Sequence, residues 1–114
     1  MREPNIIIIG RKQAVINILI TELSVFGRQV IGIDRPESTQ ELLRKNTIDL
    51  VIMGAGLGDE IREETKQLIQ KSKASIPVHL MESGENPSPA NMIDFTNKKA
   101  IEWKVQQVLG KHSS

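Results

Sequence analysis

"IDLVIMGAGLGDE", residues 48–60, carries an apolar run into a glycine-rich bend and then into the acidic opening of a helix. A short apolar run bounded by glycine reads as a strand buried on both faces, as in parallel sheets. Residues 49–53 are therefore expected to form a strand, with Asp59 as N-cap of the helix that follows. Ile61, Thr65, Leu68, Ile69 and Ser72 give that helix its stripe at helical spacing.

Upstream, residues 6–9 are four consecutive isoleucines, whose β-branching suits a buried strand. Val15, Ile18, Leu19, Leu23 and Phe26 then share one side of a helix that Gly27 ends. Residues 29–34 make a second strand, after which Ser38 and Glu41 have capping-box spacing for a short helix closing near Asn46. Downstream, residues 77–81 give a fourth strand. The rhythm then breaks: residues 84–91 hold two prolines, too little chain for a crossover helix before a short fifth strand at 92–95. A last helix over 98–111 is expected to face the core with Ile101, Val105, Val108 and Leu109, leaving Trp103 outside.

The chain has 114 residues, 39% hydrophobic and 25% charged, with net charge +1 and no cysteine. That predicts one domain over residues 1–114 with a tail fraying at 112–114. Disulfide and thiolate chemistry are excluded, and the near-neutral balance gives no general pull towards nucleic acid or membrane. The first apolar run is too short for a signal peptide or a membrane span, so a cytoplasmic protein is expected.

Strands alternating with helices predict an α/β fold, a flavodoxin-like five-stranded parallel sheet of order 2-1-3-4-5. Helices cover both faces, the fourth being shortened or missing. Such folds work at the carboxyl ends of their strands. The stretch "FGRQVIGIDRPESTQELLRKNTIDLVIMG", residues 26–54, resembles the receiver domain of two-component response regulators, and element order agrees more loosely over residues 5–111.

The resemblance implies a phosphoryl-accepting site: carboxylates after the first strand for Mg²⁺, an aspartate after the third, a hydroxyl after the fourth and a lysine after the fifth. Here those positions fall on Gly10 and Arg11, Gly54, Glu82 and Asn97. Glycine offers no nucleophile, and Arg11 would repel the cation. The expectation is a degenerate pseudo-receiver with no catalytic residue, cofactor or metal. It would act as a signalling module through a protein partner or a homodimer.

The glycines 54, 56 and 58 have two readings. Either they let the turn adopt positive φ, or their amides, with Gly10, Arg11 and Lys12, cradle an anion or nucleotide whose ribose would meet Asp34. Against the second, the turn GRKQAV lacks GxGxxG. His79 reads as a strand residue, and Asp49 and Asp94 as structural. The acidic and basic residues of 59–67, with Glu63 near Gln67 and Arg62 near Lys66, read as a solvated helix face. Trp103 is a candidate interface anchor. Ile16 and Ile20, at the margin of the first helix's apolar arc, serve either the core or a partner.

Overall fold

The computed structural model describes residues 2–81 and 88–112. In chain order it runs β1 (Asn5–Ile9), α1 (Gln13–Val25), β2 (Gln29–Ile33), a 3-10 turn (Pro36–Ser38), α2 (Thr39–Lys45), β3 (Leu50–Met53), α3 (Asp59–Ser72), β4 (Val78–Leu80) and α4 (Pro89–His112). The strands form one parallel sheet in the order β2-β1-β3-β4. Residues 6–9 and 50–53 are wholly buried because β1 and β3 lie between other strands and under helices on both faces.

Alternation along the strands divides the core in two. Ile6, Ile8, Leu50 and Ile52 meet Leu19 and Leu23 of α1 and Met92 and Ala100 of α4 on one face. Ile7, Ile9, Val51 and Met53 meet Leu43 of α2 and Ile69 of α3 on the other. At the end of α1, Gly27 takes φ 77°, Arg28 N–H donates to the Leu23 carbonyl and Gly27 N–H to that of Ser24. This paired closure is the Schellman motif, and only a residue tolerant of the left-handed region fits there.

The expected fifth strand is corrected to helix. Residues 92–95 lie in α4, and among the described residues the sheet has four strands. Ser88 accepts a hydrogen bond at its Oγ from Asn91 N–H (3.2 Å) and Pro89 is the first helical residue, so serine cap and proline start the helix together. The last helix is thereby longer than expected, and it is turned over. Met92, Thr96 and Ala100 face the sheet, with Trp103 half-buried against the same cluster, whereas Ile101, Val105 and Leu109 are about half exposed. The small side chains of Thr96 and Ala100 are fully buried where α4 packs closely against α1, and Met92 anchors its first turn in the same core.

Other local expectations are corrected as well. In α1, Ile16 (1% exposed) is buried while Ile18 and Phe26 are exposed, so the helix is rotated towards Ile16. Gly32 explains this: a Cβ there would lie 2.1 Å from Ile16 Cγ2 and 2.8 Å from Ile20 Cδ1, so both isoleucines fill the space above a strand residue that has no side chain. Ile16 is thereby removed from the candidate interface, and Ile20 is half-buried. Ser38 makes no capping hydrogen bond, because the 3-10 turn leads directly into α2. Gly58, not Asp59, is the N-cap of α3.

Candidate functional site: the carboxyl edge of the sheet

The carboxyl ends of β1 and β3 open into a cleft of about 270 Å³ lined by Gly10, Arg11, Lys12, Val15, Gly54 and Met92, among others. Four residues singled out in the sequence, Gly10, Arg11, Gly54 and Gly56, do meet here. Gly56 lies against Arg11: a Cβ there would be 3.5 Å from Arg11 Cβ. Asp34 is exposed after β2 and does not line the cleft. Glu82 lies outside the described residues. Asn97 sits within α4, where its Oδ1 accepts a hydrogen bond from Arg28 Nε at 2.9 Å, so it occupies no strand end; the position expected after a fifth strand became part of a helix.

The edge holds apolar contacts where the resemblance implied acids. A Cβ added at Gly54 would meet Met92 Cε at 3.3 Å and the Ile9 carbonyl oxygen at 3.6 Å. Met92 thus fills the space beside β3. The backbone is similarly occupied: Gly10 N–H donates to the Ile33 carbonyl (3.0 Å) and Gly54 N–H to that of Ile9 (2.9 Å). Neither amide is left over for an anion. The positive-φ reading is also corrected, because among the described glycines only Gly27 has positive φ, and Gly58 has φ −64°. Gly54 and Gly56 serve proximity to Met92 and Arg11 instead.

One residue near this edge escaped the sequence reading. Arg62, expected on a solvated face, is 6% exposed; its Nη2 donates to the Met81 carbonyl at 2.8 Å, and its Nε has no partner. Its position in the fourth place of α3 turns it inward beside the end of β4, because Thr65 and Ile69 continue the same buried stripe. The signal was that stripe extrapolated back by one turn. The Glu63 to Gln67 hydrogen bond did form on the outer face.

At the opposite edge the charges are structural. Asp49 accepts hydrogen bonds from both Arg2 guanidinium nitrogens (2.6 and 2.7 Å) and from Asn5 N–H (2.7 Å), joining β3 to β1. Burial pushes the Asp49 carboxyl up, but Arg2 and the Asn5 amide outweigh it and hold it below the ordinary value. Glu3 pairs with Lys104 of α4 and with Arg28 (2.6 Å), and the hydrogen bond from Lys104 above all lowers its pKa. Arg2 also lies over the Trp103 ring, 5.1 Å from its centroid. His79 is half-buried in β4; burial first and Lys99 second push its pKa down, against Glu102. Asp94 is exposed on α4. Among the described residues no cluster of three or more His, Asp or Glu could hold a metal ion, and no helix is long and apolar enough to cross a membrane.

A parallel sheet in this order, with α1 and α4 on one face and α2 and α3 on the other, is the receiver-type α/β fold. Solved structures with the same fold include response regulator receiver domains. The signal receiver domain of a protein described as a Luxo repressor, from Vibrio parahaemolyticus, superimposes with TM-score 0.71 at 8% identity over 95% of this chain and 98% of that one. A response regulator receiver protein from Pseudomonas putida gives 0.62 at 16% identity over 97% and 98%. The Saccharomyces cerevisiae Ssk1 receiver domain, crystallised with the histidine phosphotransfer protein Ypd1, gives 0.63 at 13% identity over 94% of each chain. No protein-family profile and no curated protein sequence matches the chain.

Proposed function

We propose that the chain is a receiver-like regulatory module that works by protein association and takes up no phosphoryl group at its carboxyl edge. The observation that carries this reading is Gly54 with Met92 packed over it: the position that would present an acceptor carboxylate has no side chain, and a Cβ there would press on Met92 Cε at 3.3 Å. Arg11 and Lys12, at the rim where a divalent cation would need acids, support it. On this reading the protein is not an enzyme. Association is supported by apolar side chains left uncovered on α4, namely Ile101, Val105 and Leu109, and by the partner in the Ssk1 complex, which shows that this fold can present a protein-binding face. The test is incubation with acetyl phosphate and Mg²⁺ followed by intact-mass measurement, alongside capture of partners from native extract. No mass increase with recovery of a specific protein or of the chain itself is expected. An acid-labile adduct at this edge would overturn the reading.

A second reading, a small anion or nucleotide bound in the cleft, is favoured by Arg11 and Lys12 standing together at its rim. The consumed amides of Gly10 and Gly54 and the absence of Asp34 from the lining weigh against it. Thermal shift against nucleotides and phosphate separates the two, since a ligand at 100 times its Kd stabilises by about 2.7 kcal/mol.

A further inference from the structure

β4 ends the sheet, and among the described residues no strand pairs with its outer side. Val51 N–H donates to the Pro77 carbonyl (3.1 Å), Met81 N–H donates to that of Met53 (2.9 Å), and Ile52 stands beside His79 in the register. In a parallel ladder the bonded residues alternate. His79 therefore turns its N–H and C=O towards β3, while Val78 and Leu80 turn theirs outward, where no described strand takes them. The side chains alternate likewise. Val78 and Leu80 pack on the α3 side with Ile69 and Ile76, and His79 points to the α4 side. There a groove of about 500 Å³ separates the strand from α4, lined by Pro77, His79, Lys99, Glu102 and Trp103, among others. The chain that would have filled this groove as a fifth strand is wound into α4 instead.

We infer that a second copy of this chain docks on that edge, β4 against β4, about a two-fold axis normal to the sheet at His79. This rests on the association reading above and names its partner. A two-fold of that kind makes the strands antiparallel, so Val78 exchanges both backbone hydrogen bonds with the partner's Leu80, and Leu80 with the partner's Val78. His79 then faces the partner's His79 as a pair without hydrogen bonds, and the two sheets become one. Charge agrees with the geometry. Lys99 and Glu102, 3.2 Å apart, line the same groove as His79, so the two-fold that brings His79 to the partner's His79 also brings one acid–base pair towards the other. A strand edge left unpaired beside a groove is a template for another strand.

The chain has no cysteine, so His79→Cys introduces a single thiol. Residues facing each other in such a pair have Cα atoms about 4.5 Å apart, within disulfide range. Mild oxidation is expected to convert most of this variant to a covalent dimer, while Glu64→Cys, exposed on α3 away from both the β4 edge and the apolar side of α4, stays largely monomeric. For the unaltered protein, light scattering is expected to give twice the 12.7 kDa chain mass. Amide exchange at Val78 and Leu80 should slow at least tenfold (on the order of 1.4 kcal/mol) between dilute and concentrated samples. A dimer without cross-linking at residue 79 or protection at Val78 and Leu80 would place self-association elsewhere, overturning the edge pairing but not the association reading. A monomer at all concentrations overturns the second copy as occupant. If its Val78 and Leu80 amides become protected only in cell extract, the edge takes another protein's strand; if extract yields no partner either, the association reading fails too.

Discussion

Met92 Cε stands 3.3 Å from the point where Gly54 would carry a Cβ, so a helix side chain occupies the place where receivers would present their acceptor. On the proposed reading, packing as well as residue type opposes acceptor chemistry at this edge. Gly54→Asp must shift Met92 Cε by a few tenths of an ångström and brings a carboxylate to the buried end of β3, in the cleft that Arg11 and Lys12 also line. We expect it to destabilise the fold by about 1–3 kcal/mol in urea titration and to remain unmodified by acetyl phosphate with Mg²⁺. A phosphoryl adduct on this single variant would mean that Met92 yields readily and that the missing aspartate was the only defect.

Gly32 and Ile16 form a second tight pair. Gly32→Ala should destabilise by about 2–3 kcal/mol, because the new Cβ would fall 2.1 Å from Ile16 Cγ2. Adding Ile16→Ala removes that atom, so the double variant should lose less than the sum of the single losses. Strict additivity would show that α1 shifts bodily to relieve the clash.

Arg62 buries a guanidinium with one hydrogen bond, to the Met81 carbonyl, and an unpartnered Nε. Desolvating such a charge is costly, so an apolar side chain of similar length should do as well or better. Arg62→Met is expected to change stability by between zero and about +2 kcal/mol. Arg62→Ala, which leaves a void, should destabilise. A marked loss in the methionine variant would assign the guanidinium a partner in solution.

Acid should erode the fold through Glu3 and Asp49. Both carboxyls are held below their ordinary values when folded, so the unfolded chain binds protons more readily as pH falls. Their stabilisation is fully present above about pH 4–5, the unfolded range, and is lost as pH drops through the lower folded values. The urea midpoint should therefore fall between neutral pH and about pH 3. Asp49→Asn should cost about 1–3 kcal/mol at neutral pH and flatten that acid limb; an unchanged slope would exclude the Arg2 pair as its source.

Much of the fold is legible in residue patterning. The isoleucines at 6–9 and the run at 50–53 admit little besides central strands, and Gly27 announces the end of α1 through its φ. The candidate edge was legible by position: Gly10, Arg11, Gly54 and Gly56 converge because parallel strands bring all their carboxyl ends to one side. Short apolar stretches carried less. Residues 92–95 fit strand or helix equally well by periodicity, and the deciding cue was Ser88 followed by Pro89. Arg62 was misplaced because charge alone was read as exposure, while its spacing to Thr65 and Ile69 put it inside.

By itself the sequence determined that strands and helices alternate around a parallel sheet and that Gly10, Arg11 and Gly54 stand where the receiver resemblance implies acids and an acceptor; both follow from residue type and spacing, which are local. Only the tertiary structure decided which face of α4 turns inward, that Met92 closes the space over Gly54, and that β4 ends the sheet with Val78 and Leu80 facing outward. The reason is physical: α4 carries apolar residues on more than one side, and which side is buried depends on how it packs against α1 and the core they share. Small Thr96 and Ala100 are buried in that packing, and Ile101, Val105 and Leu109 are left outside.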